Sequence, residues 1–359
     1  MTSVRIVGVE MVPLNLPMRL PFVTALGRKQ VSHNLLVTIR LADGTVGYGE
    51  ASASLAWPEE TQAAMARALR QITHSLIGAE IRQFRRLIAE SWERIGHHPT
   101  AVGALECGLM DAFTRSRKIP LWRWLGGHRR SVTTSITLSA WPVAEAARFA
   151  RNAERRGFRR LKVKVTGADV TQDLQRLLAV HRAAPKAVLW VDANQGFTTG
   201  EAIRFVSMTR RLRLPVQLLE QPVPRADLDG LAAVQREAKI PVVADESART
   251  LAEAVRIIRR KTTSVINIKL AKSGLLGALE IIRMARKAGV QLMIGCMAES
   301  AIGLSASVAC ACGTGAFDFV DLDSHLLVTS PACTPGFSTK GARLTIATRR
   351  LGNGVILPQ

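Results

Sequence analysis

Hydrophobic and polar positions change rhythm near residue 128. Before it, residues 3–15 and 34–50 alternate or run apolar with β-branched side chains, and Asp43-Gly44 marks a turn between NLLVTIRLA and TVGYGE. These segments predict strands of an antiparallel meander. Residues 59–77, 82–95 and 99–117 repeat their apolar positions at helical spacing, with Pro58-Glu59-Glu60 as a start signal for the first helix. Beyond His128, short apolar segments alternate with helical ones. Strands are predicted at 131–139, 159–165, 187–194, 216–223, 240–247, 264–272, 291–300 and 317–324, with helices such as LLGALEIIRMARKAG between them. Eight strands separated by about seven helices predict a parallel β/α barrel. The fold class is therefore α/β: a (β/α)7β barrel over 129–330 with an α+β capping domain over 1–128, which residues 331–359 complete.

Polar side chains interrupt the apolar strands near their C-terminal ends. They are Lys162 and Lys164, Asp192, Glu220, Asp245, Lys269, and Asp321 with Asp323. In a barrel these ends form the mouth of the active site, and buried charges are costly unless paired or metal-bound. A single such residue would be an ordinary surface lysine or helix cap. The set recurs at intervals of one βα unit: 28 residues from Lys164 to Asp192, 28 to Glu220, 25 to Asp245 and 24 to Lys269. Three carboxylates on adjacent strands suit Mg²⁺, a hard cation that takes oxygen ligands and keeps positions open for substrate. Lysines on the flanking strands suit proton transfer, because a metal and a second cation lower a lysine's pKa.

Composition changes this picture little. Hydrophobic residues make up 47% of the 359, enough for a large core. The formal charge is +21, from 49 Lys and Arg against 28 Asp and Glu. The basic residues are dispersed, with no run interleaved with aromatics, so they predict a solvated cationic surface rather than a nucleic-acid interface. No apolar stretch reaches the length of a membrane span, and the N-terminus lacks the pattern of a signal peptide. Five cysteines without a CxxC pair predict reduced thiols and a cytoplasmic protein. A homo-oligomer is compatible with all of this. The seven histidines show no ligand spacing.

The motifs KVKV, VDANQGF, LEQPV, ADES and INIKLAKSG together resemble the enolase superfamily, muconate-lactonizing-enzyme subgroup, over nearly the whole chain. LPFVTALGRKQ and GYGEAS resemble its capping-domain loops. The resemblance implies Mg²⁺, replaceable by Mn²⁺, on Asp192, Glu220 and Asp245, with one ion per site. It implies Lys164 and Lys269 as opposed acid–base catalysts, serving the L- and D-configured residue respectively, and Lys162 beside the substrate carboxylate. The mandelate-racemase branch would need a strand-seven histidine, which 291–300 lacks. GCMAES followed by Asp321-Leu322-Asp323 resembles the dipeptide epimerases, whose acidic pair binds the ammonium of a dipeptide. Thr137, Met297 and Gly27 are implied as further substrate contacts. Gly27 stands where Ala–Glu enzymes carry arginine, so a non-acidic C-terminal residue is expected. The alternatives are an o-succinylbenzoate synthase or N-acylamino acid racemase of the same subgroup, or a non-catalytic barrel that binds a polyanion.

Overall fold

The structure, a computed structural model, describes residues 4–358. The N-terminal unit begins with a three-stranded antiparallel sheet of β1 (Ile6–Thr24), β2 (Gly27–Leu41) and β3 (Val46–Ala51) in that order. Leu35, Val37, Ile39 and Leu41 alternate along β2, and this period of two turns one face of the sheet inward. Helices α1 (Gln62–Leu76), α2 (Phe84–Ile95), α3 (Pro99–Ser116) and the single turn α4 (Leu121–Trp124) follow. Helix α3 is buried along most of its length. Gly49 lets it approach β3, since a Cβ there would lie 1.9 Å from the Ala104 carbonyl oxygen.

Strands β1 and β2 are longer than their sequence pattern suggests. Residues 20–30, expected as a loop, form the tip of their hairpin: Phe22 pairs with Lys29 and Thr24 with Gly27, leaving Ala25-Leu26 as the turn. Two prolines, Pro17 and Pro21, break the apolar alternation here. The pairing absorbs them through a register shift between Pro17 and Phe22.

The predicted strand 131–139 is two strands. β4 (Ser131–Thr133) belongs to a small antiparallel sheet, whereas β5 (Ile136–Leu138) opens the parallel one. The chain then runs through α5 (Val143–Arg155), β6 (Arg160–Lys164), α6 (Val170–Ala183), β7 (Val188–Asp192), α7 (Thr199–Arg211) and β8 (Val216–Glu220). It continues through α8 (Leu228–Ala238), β9 (Val242–Ala244), α9 (Leu251–Arg260), β10 (Val265–Ile268), α10 (Leu270–Ala288), β11 (Gln291–Ile294), α11 (Ala301–Thr314) and β12 (Phe319–Val320). Strands β5 to β12 pair in sequence order, and the Ser135 amide donates to the Val320 carbonyl at 3.0 Å, joining the two edges into a barrel. Helix starts are specified locally: capping boxes Thr198/Glu201 and Thr250/Glu253 open α7 and α9, and Asp227 caps α8. Gly289, at φ 68°, ends α10.

Trp190, Leu218, Val243, Val265, Met293 and Phe319, one from each of β7 to β12, fill the barrel interior. The last strands, β13 (Phe337–Lys340) and β14 (Arg343–Ile346), complete the small sheet with β4. The segment after them returns to the N-terminal unit, where Asn353 and Gly352 bond to Asp111 and Ile119.

Candidate active site

A strand's side-chain period places the next inward layer two residues beyond the apolar plug. That layer reads Asp192, Glu220, Asp245, Asn267, Gly295 and Asp321. Asp192 and Glu220 are direct register partners on β7 and β8, and Lys164 pairs with Asp192 across β6 and β7. None of the three central carboxylates caps a helix through its side chain. All of them are buried.

Four lysines neutralise this layer. Lys162 Nζ lies 2.8 Å from Asp321 Oδ2, 2.8 Å from Glu220 Oε2 and 3.0 Å from Asp192 Oδ2. Lys164 Nζ donates to Asp192 Oδ2 at 2.5 Å and Asn194 Oδ1 at 2.9 Å. Lys269, just after β10, donates to Asp245 Oδ2 at 2.6 Å. Lys272 donates to Asp245 Oδ1 at 2.6 Å and to the Asp245 and Asn267 carbonyls. Burial pulls Lys162 down, but Asp321, Glu220 and Asp192 outweigh it and hold its pKa well above the usual value. Lys269 is likewise held up, by Asp245 against burial. The lowering expected from neighbouring cations is thus reversed at Lys269 by the carboxylate it touches. Burial would raise Asp245, yet Lys269 and Lys272 keep it low. Glu220 is pushed up to about 7 by burial and then by Asp192. Glu246, whose Oε1 accepts from Asn194, reaches about 8 through burial and Asp245.

The donor set suits a hard divalent cation. Glu220 Oε2 and Glu246 Oε2 are buried and accept no aligned hydrogen bond, and the carboxylates raise one another's pKa. As the side chains stand, with ammonium groups between them, no three His, Cys, Asp or Glu among the described residues close around one point. The fit to Mg²⁺ rests on oxygen donors from adjacent strands, one of which, Glu220 Oε2, is held only by the Lys162 ammonium.

Above this layer lies a cavity of about 810 Å³, counting its open side, between the barrel mouth and the N-terminal unit. Lys162, Lys164, Lys269, Asp245, Thr137, Met297, Asp321 and Asp323 line it from the barrel. Asp192 and Glu220 sit beneath its floor. Gly27 is exposed and outside the lining, whereas Leu26 and Lys29 on either side of it take part.

Asp321 and Asp323 differ from expectation in two respects. They follow β12 rather than continue it, because that strand ends at Val320. And Asp321 already has a cation: Lys162 holds one oxygen, and the Ser135 hydroxyl donates to the other at 2.5 Å. Asp323 accepts from the Thr137 amide at 2.6 Å. Burial and Asp321 push its carboxyl up to about 7. Asp323 is the acid of the pair that forms no ion pair among the described residues.

Sequence patterning gave no role to Lys272, nor to Asn194 and Glu246, which fall within the predicted strands 187–194 and 240–247 but lie beyond the ends of β7 and β9. It also missed the cavity's cap side: Met18, Phe22, Leu55 and Trp57, with Leu327 from beyond β12. Phe22 lies beside Lys164, whose Nζ is 5.7 Å from its ring centre.

Comparison with known proteins agrees with this architecture. Residues 6–126 match the family model described as the mandelate racemase / muconate lactonizing enzyme N-terminal domain, and residues 144–357 match the enolase C-terminal domain-like model. An aromatic dipeptide epimerase of Herpetosiphon aurantiacus is 39% identical, over 96% of this chain and 97% of that protein. The crystal structure of a mandelate racemase/muconate lactonizing protein from Herpetosiphon aurantiacus superposes with a TM-score of 0.95 at 38% identity, covering 100% of both chains. A dipeptide epimerase from Methylococcus capsulatus, complexed with Mg and the dipeptide L-Arg-D-Lys, gives a TM-score of 0.90 at 33% identity over 98% of this chain and 100% of that one.

Proposed function

We propose, from the premise that this chain belongs to the mandelate racemase / muconate lactonizing enzyme family of the enolase superfamily, that it is a Mg²⁺-dependent dipeptide epimerase inverting the α-carbon of the C-terminal residue. The observation that carries the reading is a single cavity with two lysines beside a carboxylate cluster at one side and Asp323, an acid lacking a cation, at another. Asp192, Glu220 and Asp245 would hold one Mg²⁺, with Mn²⁺ able to replace it. When bound, the ion supplies Lewis-acid stabilisation of the charge that develops on the substrate carboxylate.

Lys164 removes the α-proton of the L-configured residue, and Lys269 returns one to the opposite face to give the D-configured residue. The reverse reaction exchanges their roles. Lys162, positive and buried, stabilises negative charge on the substrate carboxylate. The substrate ammonium goes to Asp323, next to Asp321, with the Thr137 and Met297 walls beside it. Its charge-assisted hydrogen bonds contribute on the order of 1.5–3 kcal/mol each. The apolar cap wall favours a non-acidic C-terminal side chain. Five unpaired thiols fit a reducing, cytoplasmic setting, and a homo-oligomer is compatible with the family.

The test is α-deuterium uptake in D₂O with Mg²⁺ over a dipeptide panel and its N-acetylated counterparts, read by mass. Uptake by free dipeptides alone supports the reading. Equal uptake by acetylated forms moves the assignment to N-acylamino acid racemase. No uptake from any member, with salt-dependent retention of nucleic acid, favours the polyanion-binding barrel.

A further inference from the structure

The cap side of the cavity carries one feature that the proton-transfer scheme does not use. Lys29 lines the cavity from β2, and its Nζ donates to the Ala53 carbonyl at 2.6 Å and to the Ser32 hydroxyl at 3.4 Å. Neither partner is charged, and Lys29 takes part in no ion pair among the described residues. Burial draws its pKa down to about 8, so it remains mostly cationic at neutral pH.

Its position is fixed from both directions. Lys29 is the direct register partner of Phe22 across the hairpin, and directly opposed residues project from the same face. Lys164 Nζ lies over the Phe22 ring. Lys29 is therefore one cross-strand neighbour away from the wall that touches a reacting lysine. Behind it, Ser32 donates to Asn34 Oδ1, and Asn34 donates to Glu50 Oε1 at 2.7 Å. The ammonium thus sits on a braced strand pair rather than a free loop. Two of its three N–H donors are used, leaving one for a ligand.

Charge is consequently distributed unevenly across the cavity. Asp321 and Asp323 stand at the barrel side, and Lys29 stands on the cap. Resting on the dipeptide epimerase reading, we infer that Lys29 is a specificity-determining residue that reads the side chain of the epimerised residue. It excludes cationic side chains and offers one hydrogen bond to a side chain ending in an oxygen acceptor. The surrounding Met18, Phe22, Leu26 and Trp57 accept the apolar part of that side chain. A lysine or arginine there would place a second cation against an ammonium already bonded to uncharged partners, with no carboxylate among the cap residues that line the cavity.

The experiment measures kcat/KM for α-deuterium uptake from L-Ala-L-Leu, L-Ala-L-Gln and L-Ala-L-Lys by the Mg²⁺-loaded enzyme and by Lys29→Met and Lys29→Arg. The wild type is expected to disfavour the Lys dipeptide at least tenfold against Leu. Lys29→Met should raise the Lys dipeptide at least tenfold, lower Gln severalfold and leave Leu within threefold. Lys29→Arg, which keeps the charge, should retain the rejection and so controls for misfolding of the hairpin. Unchanged Leu:Gln:Lys ratios in Lys29→Met, with active enzyme, overturn the assignment to Lys29 alone. A wild type that exchanges no dipeptide at all overturns the epimerase reading, and this inference falls with it.

Discussion

Barrel and cap meet at one cavity with different materials. The barrel supplies charge at fixed points: acids and lysines on rigid strand ends, buried and cross-linked by ion pairs. The cap supplies shape, through Met18, Phe22, Leu26 and Trp57, and a cation, Lys29. Proton transfer needs groups held to within fractions of an ångström, which strands provide. Discrimination between substrates needs a wall that can change without disturbing those groups. On the proposed reading the division between the two units is a division of labour: the barrel sets the reaction type and the ammonium site, and the cap selects the side chain.

The sharpest way to break this comparison is to remove chemistry from the barrel. Lys164→Ala and Lys269→Ala should each reduce epimerisation by about 10²–10⁴, with circular dichroism showing an intact fold. Each variant should still exchange the α-proton of the isomer reached by its remaining lysine. Interconversion of both isomers at the wild-type rate by Lys269→Ala would end the two-base mechanism. Asp192→Asn, Glu220→Gln and exhaustive dialysis against EDTA should be as damaging, and Mg²⁺ or Mn²⁺ should restore only the dialysed wild type. Full activity after dialysis would remove the metal from the scheme.

A smaller effect is expected at the acidic pair. Asp323→Asn should lower kcat/KM for free dipeptides by about 10–100-fold, the equivalent of one charge-assisted bond. It should leave N-acetylated substrates, already poor, unchanged. Asp321→Asn should be broader in effect, because Lys162 then loses one of its three carboxylates. A loss confined to free dipeptides in both variants would show that Lys162 is insensitive to Asp321.

The same two units differ in how far they are legible from sequence. The barrel site stands out because lysines and carboxylates interrupt apolar strands at one-βα-unit spacing, and the inward layer above Trp190 and Leu218 follows from the period of two. The Lys162–Asp321 pair escapes that reading, since 159 residues separate its members and only barrel closure joins them. On the cap, Lys29 is one basic residue among 49. Nothing in its neighbours distinguishes it from a solvated lysine until the Phe22–Lys29 register is known. Prolines at 17 and 21 also hid the hairpin that presents it.

The seam between the units offers the smallest predicted effect and the closest test of their independence. Two cap carboxylates cross it to accept from barrel backbone. Glu50 on β3 receives the Ser300 and Gly303 amides at the start of α11, at 2.9 and 3.0 Å. Glu106 on α3 receives the Leu276 amide just beyond the break in α10 at Gly274, together with Trp92 Nε1 at 3.2 Å. Gly274 is required there: its φ is 64°, and a Cβ would collide with the Glu106 carboxylate. Burial raises Glu106 to about 7, against accepted bonds that lower it. A folded-state pKa above the unfolded value means that the native protein binds the proton more tightly. Its contribution is complete below the ordinary carboxyl range and is lost as pH rises through about 7. Thermal stability should therefore fall between pH 5 and 8, and Glu106→Gln, which cannot ionise, should flatten part of that fall. The substitution also turns an amide NH₂ toward existing donors, at a cost on the order of 1–3 kcal/mol, so its absolute Tm should be lower at pH 5. If the seam only fastens the units, kcat at saturating dipeptide should stay within about twofold while Tm moves. A large change in kcat with little change in Tm would mean that cap placement sets the chemistry as well as the choice of substrate.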